Sequence, residues 1–226
     1  MKPAEQLDRL AALVQASPLN LVSASDRALV RTRHVEESWQ VGEVLNCQPA
    51  QRWMDLGTGG GFPGLALAIR FPETRFTLLD SVRKKLEAIK RLASELQLTN
   101  VRAVWDRAER VARMKGERQA YDGVVSRAVG SLLLVAELSR GFLRPDGRLM
   151  IVKGPAVVHE LAELRAWHGP LRLTEPVVSR VEHSGRDVRV VAMTATGAAP
   201  DWVPRAVGLP GKQPLAVPPA VPSQRD

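Results

Sequence analysis

An acidic residue and several glycines come together in the segment RWMDLGTGGGFPGLALAI, residues 52–69, where Asp55 precedes a glycine-rich turn. The apolar runs on either side predict a strand, a loop and a helix. Glycines in such a loop let the backbone adopt positive φ and approach a ligand closely. Asp80 ends the next apolar run, 19 residues after Gly61, where an acid accepts hydrogen bonds from both hydroxyls of a ribose. The spacing therefore indicates a ligand of the adenosine type.

Two ligands fit glycines at this spacing, and Asp55 distinguishes them. Gly59, Gly61 and Gly64 form the G-x-G-x-x-G pattern of dinucleotide-binding proteins, which would predict a nicotinamide oxidoreductase. A carboxylate in front of the loop repels a pyrophosphate at short range. It attracts a ligand that carries an ammonium and a sulfonium group. The pattern D-x-G-x-G-x-G, formed by Asp55, Gly57, Gly59 and Gly61, is typical of S-adenosylmethionine-dependent methyltransferases, so we expect S-adenosylmethionine as the cofactor.

Strands and helices alternate around this loop. Strands are predicted at 52–56, 75–80, 101–105, 121–128 and 147–154, each followed by a helix, and an edge hairpin at about 171–181 and 187–195. Strands that alternate with helices form parallel sheets with right-handed crossovers. The predicted fold is therefore α/β and Rossmann-like, with a mostly parallel seven-stranded sheet, helices on both faces and an antiparallel edge hairpin.

Three regions are predicted along the chain. Residues 1–48 form a helical extension in which Ser25 caps a helix over about 26–45. Residues 49–196 form the ligand-binding domain. Residues 197–226 are a basic tail that holds seven of the chain's 16 prolines, so we expect an extended tail without a regular helix.

Composition excludes several classes of protein. The single cysteine, Cys47, forms no internal disulfide, and four scattered histidines make a zinc site improbable, so no metal is expected. No apolar run reaches the roughly 18 residues of a membrane helix, and the N-terminus lacks a secretory signal, so we expect a cytoplasmic protein without a membrane partner. A net charge of +8 and a pI of about 10.3 favour a polyanionic partner such as nucleic acid.

Six segments together resemble one enzyme family, the small-subunit ribosomal RNA methyltransferase G family, also called glucose-inhibited division protein B. They are LNLVSASDRALVRTRHVEES, MDLGTGGGFPGLALAI, FTLLDSVRKKLEAIKRLASEL, YDGVVSRAV, LMIVKG and PRAVGLPGKQPL. The resemblance implies methyl transfer from S-adenosylmethionine to N7 of one guanine in the 530 loop of 16S rRNA. It also implies the small ribosomal subunit or its RNA as partner, and we expect a monomer.

The resemblance also assigns cofactor-binding residues. With the pattern residues above, the expected set is Asp55, Gly57, Gly59, Gly61, Phe62, Asp80, Ala108, Glu109 and Arg127, with Ala108 and Glu109 at the adenine end. Three features depart from the family pattern. Gly60 stands where a proline is common, which predicts a slightly looser loop, and Glu37 replaces a usual aspartate after the RH element that contains His34. The third is SP at residues 17–18, in place of the WN that often precedes LNL.

Arg127 and Lys153 are the candidate catalytic residues, as positioning groups at strand ends. Arg127 could hold a substrate phosphate or the cofactor carboxylate by two hydrogen bonds; the alternative is a surface ion pair with an acid such as Asp122 or Glu109. Lys153 has the same functional interpretation, and its alternative is a lysine that is merely solvated at the end of a strand. His34 is interpreted as a structural or RNA-contacting residue.

Basic residues between 102 and 118 outnumber acids by six to three. We expect this cluster and the tail to contact RNA phosphates, through Arg107, Arg110, Arg113, Arg205 and Lys212; a solvated charged face is the alternative. Three other functions stay open at this point. They are a methyltransferase for another RNA, a protein or a small molecule, a nicotinamide oxidoreductase, and an RNA-binding domain without catalysis.

Overall fold

The computed structural model describes residues 1–183 and 186–216, and these residues form seven strands and eight α-helices. The strands are β1 Arg52–Leu56, β2 Arg75–Asp80, β3 Val101–Trp105, β4 Tyr121–Arg127, β5 Leu143–Lys153, β6 Val177–His183 and β7 Arg186–Thr194. The helices are α1 Pro3–Ala16, α2 Glu37–Leu45, α3 Gly64–Arg70, α4 Arg83–Glu95, α5 Ala108–Val111, α6 Leu132–Arg140, α7 Leu161–Trp167 and α8 Leu209–Lys212.

All seven strands lie in one sheet, in the order β3-β2-β1-β4-β5-β7-β6. The first five strands of the chain pair in parallel, whereas β7 runs antiparallel to both β5 and β6. The parallel strands end at one edge of the sheet, and the strand order reverses between β1 and β4, which is where open α/β sheets bind ligands. The predicted fold, a mostly parallel seven-stranded sheet with an antiparallel edge hairpin, is confirmed.

Two apolar cores cover the two faces of the sheet, because successive residues of a strand point to opposite faces. In β1, Trp53 packs into one core and Met54 into the other. The first core contains side chains of α1, α2, α3 and α4. The second contains side chains of α5, α6 and α7, and Val203 from the tail. Helices on both faces, as predicted, therefore hold the sheet between them.

The segment between α1 and α2 differs from its prediction of one helix capped by Ser25. Ser23 is the cap, because its hydroxyl accepts a hydrogen bond from the Asp26 amide at 3.2 Å. A 3-10 helix follows over Ala24–Leu29 and a π-helix over Val30–Glu36 before α2 begins. Such changes of helical pitch rotate the side chains that follow, and they are frequent at functional sites. Here the π-helix carries His34.

Element boundaries in the second half also differ from prediction. β5 begins at Leu143, four residues earlier than expected, and β6 begins at Val177 rather than near 171. In the tail, prolines were expected to exclude a regular helix, yet α8 forms one turn. Pro210 lies in its first turn, where a missing amide hydrogen costs no helical hydrogen bond. The predicted extension of the tail over 217–226 lies outside the described residues.

Arginines hold residues 197–216 against the body of the protein. Arg118 donates to the carbonyl oxygens of Val203 and Pro200 at 2.8 and 3.0 Å. Arg205 donates from Nε and Nη2 to both oxygens of Glu137, each at 2.8 Å. Glu137 is 1% exposed and the Arg205 side chain is 21% exposed, so this ion pair is largely removed from water.

We expect Glu137→Gln to lower the free energy of unfolding by about 2–4 kcal/mol, because it leaves the Arg205 guanidinium without its charge partner in a mostly buried site. Urea denaturation measures this loss. Glu95→Gln is the matched control, since Glu95 pairs with Arg9 where both side chains are about half exposed, and it should change stability by less than about 1 kcal/mol. Equal losses in the two variants would contradict the buried role of the Glu137 pair.

Candidate functional site

A cavity of about 500 Å³ lies at the carboxyl ends of β1, β2, β3 and β4. This volume is within the usual range for a site that encloses a small ligand. Seven of the nine predicted cofactor residues line the cavity: Gly57, Gly59, Phe62, Asp80, Ala108, Glu109 and Arg127. The other two, Asp55 and Gly61, do not line it. The fold therefore brings together residues that are separated by up to 70 positions in the sequence.

The glycine loop is shaped by close approaches of the backbone. Gly57 has a φ of +69°, and a Cβ atom there would lie 2.3 Å from Cγ2 of Val129. A Cβ atom at Gly60 would lie 2.1 Å from the carbonyl oxygen of Leu21. The sequence predicted a slightly looser loop at Gly60. In the structure this residue is buried, and Leu21 from the N-terminal segment covers it.

Asp55 lies beneath the glycine loop and stabilises it through hydrogen bonds. Its Oδ2 accepts hydrogen bonds from the Thr58 hydroxyl at 2.7 Å and the Gly64 amide at 2.8 Å. The residue is fully buried, and Oδ1 has no hydrogen-bond partner among the described residues. Burial raises the pKa of Asp55 from its ordinary value of 3.8 to about 6, against the lowering effect of both hydrogen bonds. Asp55 thus fixes the shape of the loop from outside the cavity.

Asp80 lies at the end of β2 and is fixed by two backbone amides. Its Oδ2 accepts from Gly59 and its Oδ1 from Val82, both at 2.8 Å. A carboxylate has about four acceptor sites, so two remain for the hydroxyls of a ribose. The side chain is partly exposed and lines the cavity. Its orientation is therefore set before a ligand arrives.

Glu109 lies at the far end of the cavity and is 2% exposed. Its Oε1 accepts from Arg107 Nη2 at 2.8 Å and from the amide of Gly208 at 2.9 Å. Burial raises the pKa of Glu109, but these two hydrogen bonds outweigh it and hold the pKa below its ordinary value. Gly211 of α8 also lines the cavity. The tail, whose Arg205 and Lys212 were predicted to contact RNA, therefore also forms part of the wall of the cavity.

Arg127 connects β4 to the N-terminal segment. Its Nη1 lies 3.0 Å from Oε1 of Glu37, and its Nη2 lies 2.8 Å from Nδ1 of His34. The ion pair that was the alternative interpretation of Arg127 does form, with Glu37 as the acid, and Arg127 also lines the cavity. Guanidinium nitrogens only donate, so Nδ1 of His34 is the acceptor and the ring proton is on Nε2. Burial and the Arg127 charge lower the pKa of His34 to about 4, so the ring is neutral at pH 7.

A second cavity, of about 430 Å³, shares Arg127 and Ala128 with the first and extends toward β5 and β7. Lys153 lines this second cavity and not the first. Its ammonium group donates to both oxygens of Glu160, at 2.8 and 2.9 Å, and to the carbonyl oxygen of Gly130 at 2.6 Å. Lys153 is therefore held in place by internal contacts.

The residues predicted to contact RNA divide into two groups. Arg113 donates to the carbonyl oxygens of Trp202 and Pro204, and Arg205 pairs with Glu137. These two arginines stabilise the tail. The second group is accessible and comprises Arg107, Arg110 and Lys212, whose side chains are exposed or half exposed. Arg107 and Arg110 also form ion pairs, with Glu109 and Asp106 respectively.

One protein family matches most of the chain. The family described as rRNA small subunit methyltransferase G matches residues 4–189. The chain belongs to this family. A relative named Ribosomal RNA small subunit methyltransferase G from Deinococcus deserti is 43% identical over 164 residues, which cover 72% of this chain and 67% of the relative. A relative of the same name from Deinococcus radiodurans is 36% identical over 215 residues, with 93% and 85% covered.

Solved structures agree on the fold. TrmN from Thermus thermophilus superposes with a TM-score of 0.53 at 18% identity, over 73% of this chain and 53% of TrmN. Precorrin-6y C5,15-methyltransferase from Geobacter metallireducens superposes with a TM-score of 0.51 at 15% identity, over 70% of this chain and 86% of that enzyme. These likenesses show that this member of the methyltransferase G family shares the Rossmann-like methyltransferase fold with them.

Residues 1–183 and 186–216 contain neither a membrane-spanning helix nor a metal cluster. Within these ranges, no helix is both long and apolar enough to span a membrane. The same ranges hold no group of three or more histidine, cysteine, aspartate or glutamate side chains arranged to bind a metal ion.

Sequence reasoning missed the residues that reach the site from distant elements. Leu21 and Glu37 come from the N-terminal segment, and Gly208 and Gly211 come from the tail. The family resemblance covered both segments, and that was the available signal for them. Periodicity could not find them, because each contact joins residues about 40 to 100 positions apart.

We expect Asp55→Asn to remove a pH dependence of stability. The folded state raises this pKa from 3.8 to about 6, so it binds the proton more tightly than the unfolded chain does. The carboxyl therefore lowers stability progressively as pH rises from about 4 to about 6. Relative to Asp55→Asn, the wild type should lose about 2 kcal/mol between pH 4.5 and pH 7. Urea denaturation at both pH values measures this; a difference that does not change with pH contradicts the burial of a titrating carboxyl.

Proposed function

We propose that this member of the methyltransferase G family transfers a methyl group from S-adenosylmethionine to N7 of a guanine in the 530 loop of 16S rRNA. The observation that carries the proposal is the cavity in which the glycine loop, Asp80 and Arg127 meet, in a chain whose family acts on small-subunit rRNA by name. The partner is the small ribosomal subunit or its RNA. We further propose that the protein acts as a monomer in the cytoplasm.

The residues present fit S-adenosylmethionine, which supplies an electrophilic methyl group on a sulfonium sulfur. Asp80 would accept hydrogen bonds from the ribose hydroxyls. Ala108 and Glu109 would meet the adenine end, and the loop from Gly57 to Phe62 would hold the amino-acid end. The partly ionised Asp55 beneath the loop adds a negative charge that favours a cationic ligand and disfavours a pyrophosphate.

Guanine N7 carries an in-plane lone pair and no proton at neutral pH, so its methylation needs no general base. His34 is neutral and its Nδ1 accepts from Arg127, which leaves it a positioning role. Holding the base and the methyl donor in line is then the main task of the chain. Such positioning can supply about 7–11 kcal/mol of the barrier.

A methyltransferase for a protein or a small molecule is the second candidate of the same chemical class. Family membership and the accessible basic residues around the adenine end favour RNA. The nicotinamide alternative is disfavoured by the methyltransferase fold neighbours and by Asp55.

Asp80→Asn tests the donor site. We expect its affinity for S-adenosylmethionine to fall about 10- to 100-fold, because hydrogen bonds to a charged group contribute about 1.5–3 kcal/mol each. Calorimetric titration measures the affinity, with NADH as the competing ligand class and Glu87→Gln on the exposed face of α4 as the control. Binding of NADH by the wild type, or equal S-adenosylmethionine affinity in both variants, contradicts the assignment.

Substitution of Arg110 and Lys212 tests the proposed RNA-binding surface of the protein. We expect the double variant Arg110→Gln/Lys212→Gln to bind small-subunit rRNA more weakly. The slope of log K against log salt concentration should decrease by about 0.7–0.9 for each phosphate that the variant no longer neutralises. Affinity for S-adenosylmethionine should stay unchanged, since neither charge lies among the cavity residues.

The matched control for RNA binding is Arg75→Gln. Arg75 is exposed at the amino end of β2, on the edge of the sheet opposite the cavity. Filter binding at several salt concentrations compares the three proteins. An unchanged salt slope in the double variant, or an equal decrease in Arg75→Gln, would show that RNA does not contact the surface around Arg110 and Lys212.

A further inference from the structure

The second cavity lies where an acceptor base would meet the methyl donor. It shares the wall formed by Arg127 and Ala128 with the ligand cavity, and Val152, Pro155 and Val188 give it apolar surface. Ala128, which lines both cavities, has a φ of +58°, a conformation that residues other than glycine rarely adopt. A flat aromatic base with a polar edge fits a volume of about 430 Å³ with this lining.

The buried charges of the second cavity favour a base over a phosphate; Arg186, which also lines the cavity, is exposed. Lys153 is neutralised by Glu160 and Arg127 by Glu37. Glu37 is 7% exposed and lines the cavity, so its carboxylate adds a buried acceptor there. Arg127 takes one of the roughly four acceptor sites that a carboxylate offers. A buried acceptor of this kind repels an anion and binds a group with two adjacent N–H donors.

We propose that Glu37 selects guanine by accepting hydrogen bonds from N1–H and the N2 amino group of the target base. The proposal rests on the proposed function, since it concerns the base that is methylated. Guanine is the one standard RNA base that presents two adjacent donors on its Watson–Crick edge. Enzymes that modify a base commonly read that edge after the base has left the stack.

The order of groups in the protein matches the order of groups around guanine. From N7, the edge of the base continues with O6, then N1–H, then the N2 amino group. From the ligand cavity, the protein continues with Arg127, which lines both cavities, and then with Glu37, which lines only the second. N7 therefore faces the methyl donor, O6 faces the guanidinium of Arg127, and the two donors face Glu37.

Asp187 is the other carboxylate of the cavity, and three of its roughly four acceptor sites are occupied, against one in Glu37. Its Oδ1 and Oδ2 accept from Nε and Nη2 of Arg189 at 2.6 and 2.7 Å. Arg180 Nε lies a further 3.4 Å from Oδ1. Glu37 is more buried than Asp187, whose side chain is 26% exposed. Glu37 is therefore the carboxylate that reads the base.

Inosine provides the direct test, because it keeps N7, O6 and N1–H and lacks only the N2 amino group. The substrates are 16S rRNA molecules ligated to contain guanosine or inosine at the target position, used free and as reconstituted subunits. We expect the wild type to prefer guanosine by about 10- to 100-fold in kcat/KM, and in RNA affinity measured with S-adenosylhomocysteine. In Glu37→Gln, we expect the preference for guanosine over inosine to be smaller than about threefold.

Controls separate this proposal from the proposed function and from folding defects. Glu43→Gln changes an exposed carboxylate of the same helix, α2, and should keep the wild-type preference. Any difference in intrinsic N7 reactivity between the two bases is common to all variants and cancels when their ratios are compared. If the wild type methylates guanine N7 but shows no preference for guanosine over inosine, the role of Glu37 is overturned and the proposed function stands. The role of Glu37 is also overturned if this preference persists in Glu37→Gln, or if it is lost only in Asp187→Asn. A wild type that methylates neither RNA overturns the proposed function.

Discussion

The buried carboxylate of Asp55 is the constraint on which the site depends. It holds the first and last parts of the glycine loop together, through the Thr58 hydroxyl and the Gly64 amide. The loop can then present backbone atoms to a ligand and support Asp80 through the Gly59 amide. Burial of this carboxyl opposes its ionisation. The structure thus retains a carboxyl under the loop whose ionisation is costly.

The second constraint is the contact between the N-terminal segment and the sheet. Arg127 ends β4, and both of its partners, His34 and Glu37, come from the π-helix and α2 that precede the sheet. Leu21 covers the loop from the same segment. At another part of the first cavity, the amide of Gly208 donates a hydrogen bond to Oε1 of Glu109. Segments outside the alternating strands and helices therefore complete a site that the sheet begins.

The sheet, its hairpin and the positions of the glycine loop and Asp80 could be predicted because they follow local rules. Strand and helix periodicity is local, and the glycine loop and Asp80 are placed by the geometry of successive βα units. Other features of the structure were not predicted. A π-helix shifts side chains without a change in apolar pattern, and prolines at the start of a helix were read as excluding one. The contacts that Arg113 and Arg205 make in the structure could not be predicted from charge alone, because their partners lie 68 to 91 positions away.

Methyl transfer to one guanine of small-subunit rRNA is tested by mapping the position of the transferred group. Wild-type protein is incubated with labelled S-adenosylmethionine and with small subunits or free 16S rRNA that lack the modification. The modified position is then located by strand cleavage specific for N7-methylguanine. We expect a single labelled guanine, methylated at N7, in the 530 loop. A label in ribosomal protein, on a pyrimidine or at another atom of guanine would contradict it.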